Sequence, residues 1–161
     1  MLRDRFFSIV IICAVLVAGA CSTGSESSRH TSPWQLNDLV GPIQESVVTV
    51  VNYSADGTVS SIGSGFFIST SGALLTNFHV LHGAYSASIR MPDGSQHPVT
   101  AVLAMNPLVD LIKVRVDTAG SRVRPIVLAK AAPTVAERVF VVGSPMGLEQ
   151  TVSEGIISAV R

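Results

Sequence analysis

From Ser46 onward the apolar residues of this chain come in short, β-branched runs closed by turn-forming residues. Val47-Val48-Thr49-Val50-Val51 is the first run. Ile62–Ile68, centred on Gly63-Ser64-Gly65-Phe66-Phe67, is the second, and Ala73-Leu74-Leu75-Thr76, entered through Ser71-Gly72, is the third. Each is shorter than the roughly 10 residues over which a helix shows its apolar face. Ser86–Met91 and His97–Leu103 flank Pro92-Asp93-Gly94-Ser95, a strong hairpin signal. In Leu111–Val116, Lys113 and Arg115 alternate with Ile112, Val114 and Val116, as in a half-buried strand. Ile126–Ala129, Arg138–Val142 and Gly155–Val160 complete the set. Many short strands without a long helical pattern predict an all-β barrel or sandwich. No internal repeat of fixed period is present.

The first 45 residues read differently. Arg3 and Arg5 precede an uncharged, mostly apolar run, Phe6–Ala20. That run is short of the about 20 apolar residues of a spanning helix and fits the apolar region of a secretory signal. It ends Ala18-Gly19-Ala20-Cys21, which resembles a bacterial lipobox, although Ala18 stands where leucine is commoner. Residues 1–21 are therefore expected to be a signal peptide of lipoprotein type, with Cys21 as the lipid-bearing residue. The competing readings are an ordinary cleavage near Ala20 or an uncleaved anchor. The only two cysteines, Cys13 and Cys21, both lie in this leader, so no disulfide and no cysteine metal cluster is expected in the mature chain. Ser22–Pro33 is small, polar and turn-prone, as a tether would be. Within Trp34–Glu45, Leu36, Leu39, Val40 and Ile43 have helical spacing, which Gly41-Pro42 is expected to interrupt.

Composition narrows the function classes. Hydrophobic residues make up 47% and charged residues 14%, which argues against a disordered chain. Eleven basic residues balance eleven acidic ones and are scattered, so no nucleic-acid partner is indicated.

Few residues could carry chemistry. His79 follows a strand, and imidazole accepts and returns protons near neutral pH. A lone histidine is more often structural. Of the other three, His30 lies in the tether and His97 follows a hairpin turn, and both are expected to face solvent. Asp110 stands among apolar residues at the start of a strand, where a buried carboxylate needs a partner. A histidine N–H would serve, but the residue could equally cap its own turn. Spacing alone does not prefer Asp110 over Asp93 or Asp117.

Six blocks, in order, resemble the HtrA (Deg) proteases. Ser46–Val51 resembles their opening strand, and Gly63-Ser64-Gly65-Phe66-Phe67-Ile68 their Gly-Ser-Gly-Phe strand. Leu75-Thr76-Asn77-Phe78-His79-Val80 resembles the histidine motif and Asp110-Leu111-Ile112-Lys113-Val114 the aspartate motif. Gly143-Ser144-Pro145-Met146-Gly147-Leu148 resembles a Gly-Asn-Pro-Phe-Gly-Leu turn, and Thr151–Ala159 the strand after it. The resemblance implies an all-β, chymotrypsin-like double β-barrel. Residues 46–125 would form the first barrel and 126–161 the start of an incomplete second, after a tether and short helix at 22–45. It implies a serine endopeptidase with His79 as general base and Asp110 as its orienting carboxylate. No cofactor or metal would be needed. Substrates would be polypeptides, including unfolded proteins, in envelope protein quality control. The protein would be exported, lipid-anchored to a bacterial membrane, and a homo-oligomer (a trimer in many relatives).

The family's Gly-Asn-Ser-Gly-Gly nucleophile motif is absent from these residues. In the His-Asp-Ser order it would begin about 20 to 30 residues past Arg161. Neither Ser64 nor Ser144 has the context of a nucleophile, so these residues alone are expected to be inactive. Three other readings compete. A non-catalytic, protease-like peptide-binding module fits a missing serine but not the retained His79 and Asp110 motifs. A metal hydrolase built on His79 and His82 lacks the usual spacing and the intervening glutamate. A structural envelope lipoprotein leaves the six blocks without an explanation.

Overall fold

The computed structural model describes residues 41–143 and 151–160. Six strands close into an antiparallel barrel: β1 (Val47–Tyr53), β2 (Val59–Phe67), β3 (Ala73–Thr76), β4 (Ser86–Arg90), β5 (Gln96–Asn106) and β6 (Leu111–Val116). Their order around the wall is β1-β2-β3-β6-β5-β4, and the β1–β4 ladder closes the ring. A four-residue helix, α1 (Phe78–Leu81), follows β3, and a 3₁₀ turn at Pro107–Val109 precedes β6. Two further strands, β7 (Arg138–Gly143) and β8 (Thr151–Ile156), pair with each other. The all-β expectation is met.

Adjacent side chains of a strand point to opposite faces, and here both faces of part of the wall are covered. Val48, Val50, Phe67, Leu74, Ile89, Ile112, Val114 and Val116 fill the barrel interior, together with Val80 of α1. Their neighbours Val47 and Phe66 face outward, and pack with Ile43 and Val142 into a second cluster between the barrel and the β7–β8 ladder. Ile68, Leu75, Ile126 and Val152 extend that seam. Two-sided burial explains why Val47–Val51 is β-branched throughout and shows no apolar–polar alternation, whereas β6, covered on one face, alternates.

Several expectations are corrected. Ile126–Ala129 is not a strand: Ile126 N–H donates to the Phe67 carbonyl at 2.8 Å, but Val127 beyond it is 83% exposed. A β-branched run becomes a strand only where a partner edge runs alongside it. The last strand is Thr151–Ile156, not Gly155–Val160, because Ile156 already faces Arg138, the first residue of β7. His97 is buried, not solvent-facing. Its Nε2 lies 3.1 Å from the Ser95 hydroxyl and 3.5 Å from that of Ser121, which supply polar partners inside the wall. Residues 41–44 are helical in spite of Gly41-Pro42. The Glu45 N–H reaches the Gly41 carbonyl at 3.3 Å, a helical i to i−4 bond that spans Pro42. The leader, Cys13, Cys21, the tether, His30, Ser144 and the part of the predicted helix before Gly41 lie outside the described residues. Among those described, no helix is long and apolar enough to cross a membrane.

One close approach tests the barrel's packing. The Gly72 carbonyl accepts the Val116 N–H at 2.9 Å, the Gly72 φ is +82°, and a Cβ there would overlap the Val116 carbonyl oxygen. Gly94, in the β4–β5 turn, has φ +85° but open space around it. Both Gly→Ala substitutions are strained, but only the first also displaces backbone. Gly72→Ala is expected to be less stable than Gly94→Ala by about 1–3 kcal/mol, read from urea unfolding.

Candidate active site

The β3–β6 ladder pairs Thr76 with Ile112. Asn77 follows directly after Thr76, and Asp110 lies just before β6, so the register brings both to the same end of the barrel. There α1 begins, directly after Asn77. Its Val80 is buried in the core, and the Val80 carbonyl accepts from Asn52 Nδ2 at 3.0 Å and Ser61 Oγ at 2.7 Å. Gly63 of β2 lies against Val80, where an added Cβ would collide with its methyl groups. The helical turn is therefore held from β1 and β2 as well as from β3.

Asp110 approaches from the other strand. The 3₁₀ turn ends on it with φ 53° and ψ 45°, a left-handed conformation that aspartate tolerates better than most residues. From that position it serves the first turn of α1. Its carbonyl accepts the Phe78 N–H at 3.1 Å, and carboxylate Oδ1 accepts the His79 N–H at 2.9 Å. Carboxylate Oδ2 lies 2.6 Å from His79 Nδ1 and 3.0 Å from Asn77 Nδ2. Asp110 is thus the acceptor for helix N–H groups that an N-cap side chain ordinarily satisfies. The two side chains are 40% and 41% exposed, so the pair is reachable from solvent.

Desolvation, the largest single influence, pushes the Asp110 carboxyl up. It is outweighed by the His79 backbone N–H, the His79 ring and the Asn77 amide, which together hold the carboxyl below its ordinary range. An ionised carboxylate only accepts hydrogen bonds, so the short contact puts the proton of neutral His79 on Nδ1 and the lone pair on Nε2. A ring so arranged can take a proton at Nε2 while the carboxylate stabilises the resulting charge.

The three candidate aspartates separate clearly. Asp93 accepts the Ser95 N–H and hydroxyl, and Asp117 accepts the Ala119 N–H, so each caps its own turn. Only Asp110 of the three hydrogen-bonds the His79 ring. His82 is exposed, with its ring centroid 5.2 Å from that of Phe78. Among the described residues no three His, Cys, Asp or Glu side chains are grouped to hold a metal ion. Ser64 is buried in β2. Asn77, which stands inside the histidine motif, and Asn52 carry no role that the sequence alone makes legible. The available signal was an asparagine at the junction of a strand and a helix, a position where its side chain must bond something local.

The trypsin-like peptidase domain family matches residues 63–161, and the chain belongs to it. Its relatives narrow the type to the HtrA/Deg proteases. It is 33% identical over 66% of its length to the magnetosome formation protease MamE of Paramagnetospirillum magneticum, of which it covers 15%. It is 26% identical over 99% of its length to the serine endoprotease DegS of Escherichia coli, of which it covers 48%. The crystal structure of a serine endoprotease from Yersinia pestis matches with a TM-score of 0.68 and 32% identity, covering 80% of this chain and 46% of that one. The fold is the chymotrypsin-like double barrel, with the first barrel complete and β7–β8 belonging to the second. The chain spans half or less of the length of these relatives.

The Asp110 interactions carry a pH signature. A carboxyl whose pKa is lowered on folding stabilises the fold above its unfolded value, about 3.9. That contribution disappears as pH falls through the lower folded value. Asp110→Asn is expected to unfold at lower urea concentration than the unsubstituted protein at pH 7. The gap is expected to narrow as the pH is taken below about 3.9.

Proposed function

We propose that the protein is an exported serine endopeptidase that cleaves polypeptides through an acyl-enzyme. His79 is the general base, Asp110 its orienting carboxylate, and a serine outside the described residues the nucleophile. The observation that carries this reading is the 2.6 Å contact between His79 Nδ1 and Asp110 Oδ2 at an accessible barrel end.

The chemistry follows from the tautomer. His79 Nε2 takes the serine hydroxyl proton as the oxygen attacks the peptide carbonyl. Asp110 stabilises the imidazolium so formed. Backbone N–H groups beside the nucleophile hold the oxyanion. The imidazolium then gives its proton to the leaving amine, and water repeats the sequence on the acyl-enzyme to release the acid. His79→Ala in the full-length protein is expected to abolish cleavage of an unfolded polypeptide. Asp110→Asn is expected to lower kcat by about 10⁴-fold. Unchanged turnover in either variant would overturn the assignment.

In the proposed organisation, residues 1–21 are a lipoprotein-type signal, 22–45 a tether with a short helix, 46–125 the first barrel and 126–161 part of the second. Lipid on Cys21 would hold the protease domain at a bacterial membrane, where unfolded envelope proteins are the substrates and a homotrimer the assembly. The support is the apolar leader ending in small residues before Cys21. Cys21→Ser is expected to leave the membrane fraction on cell fractionation, whereas continued membrane partition of the processed form would count against the lipid.

A further inference from the structure

We propose that Asn77 is a positioning residue for the His79–Asp110 pair, setting the Asp110 carboxylate from outside the pair itself. The inference rests on the peptidase reading above.

The Asn77 amide donates to two acceptors of the same residue, the Asp110 main-chain carbonyl at 3.0 Å and carboxylate Oδ2 at 3.0 Å. The orientation of the amide is forced, because rotating it by half a turn would set its oxygen against two acceptors. Asparagine is among the favoured N-cap residues of a helix. Asn77 occupies that position in α1 yet makes no side-chain capping bond. Its two N–H donors go across the barrel end instead. The cost is visible, since Asn77 Oδ1 is buried with no hydrogen-bond partner.

The remaining bonds show why this matters. Besides the Asn77 amide, the bonds to the carboxylate come from the main-chain N–H of His79 and from its ring. Were those the whole set, the carboxylate would be placed only by the residue it has to orient. Asn77 supplies a reference independent of the His79 ring. By bridging carbonyl and carboxylate it ties the side-chain torsion of Asp110 to the left-handed backbone at that residue. Asn77 acts on the reaction through Asp110 and His79.

The test is a kinetic cycle on the full-length protein with Asn77→Ala, the isosteric Asn77→Asp, Asp110→Asn and the double variant. The His79 ring nitrogens are followed by NMR in parallel. Asn77→Ala and Asn77→Asp are expected to lower kcat on the order of 10²-fold, as for a reacting group displaced by about 1 Å. KM is expected to stay within about 2-fold, because Asn77 is assigned no substrate contact. In both variants the hydrogen-bonded Nδ1–H signal of His79 is expected to weaken or move. In the Asp110→Asn background the Asn77→Ala change is expected to have no further effect on kcat, since neighbours acting as one unit are not additive. Retention of kcat in Asn77→Asp, or losses that multiply in the double variant, would overturn the proposal. Should Asn77→Ala fail to fold, Asn77→Asp and the ring spectrum decide alone. If Asp110→Asn itself cleaves normally, the peptidase reading fails; if Asp110→Asn is inactive and the Asn77 variants are not, only this inference fails.

Discussion

The pairing of Thr76 with Ile112 in the β3–β6 ladder is the constraint on which the candidate site depends. A strand's side chains alternate between faces, so a slip of one residue would turn Leu74, Val114 and Val116 out of the core. The apolar interior therefore enforces the register, and the register in turn delivers Asn77 and Asp110 to one end of the barrel. No separate interaction is needed to bring those residues into range. What remains is orientation, supplied by the first turn of α1 and the left-handed end of the 3₁₀ turn.

Orientation comes from polar groups that would otherwise be a liability. The start of α1 exposes N–H groups that its own N-cap residue does not satisfy. Asp110 satisfies those of Phe78 and His79, and in doing so acquires fixed donors that favour its charged form. The end of α1 is treated similarly, with the Val80 carbonyl taking two side-chain donors from β1 and β2. A helix of four residues has little stability of its own. Its position here is set by the barrel wall rather than by its sequence.

Much of this is legible in the sequence. Ala73–Thr76 and Leu111–Val116 were bounded correctly because a turn signal or an alternation of charge marks each. Runs covered on both faces have looser limits in the sequence, since two-sided burial removes the period-two pattern, as in Val47–Val51 with its seam-facing Val47 and core-facing Val48. The choice among Asp93, Asp110 and Asp117 was not readable from spacing, since it depends on which strand lies beside β3. The burial of His97 is hidden for the same kind of reason. Ser95 beside it is a local partner, but the Ser121 hydroxyl that also faces its ring comes from a different loop and leaves no mark near residue 97. The role of Asn77 is not legible in its motif, because its partner is 33 positions away.

The closed ring has a consequence in time. Between Asn77 and Asp110 the chain must lay down α1, β4, β5 and the 3₁₀ turn, and β4 must also find β1 to complete the wall. Such non-local pairings are reached late and slowly compared with helical contacts. Until β3 and β6 have paired, the chain carries the histidine and the aspartate as separate, unoriented groups. The pair comes into being only with the β3–β6 ladder, so its geometry is itself a report that a long-range strand pairing is in place.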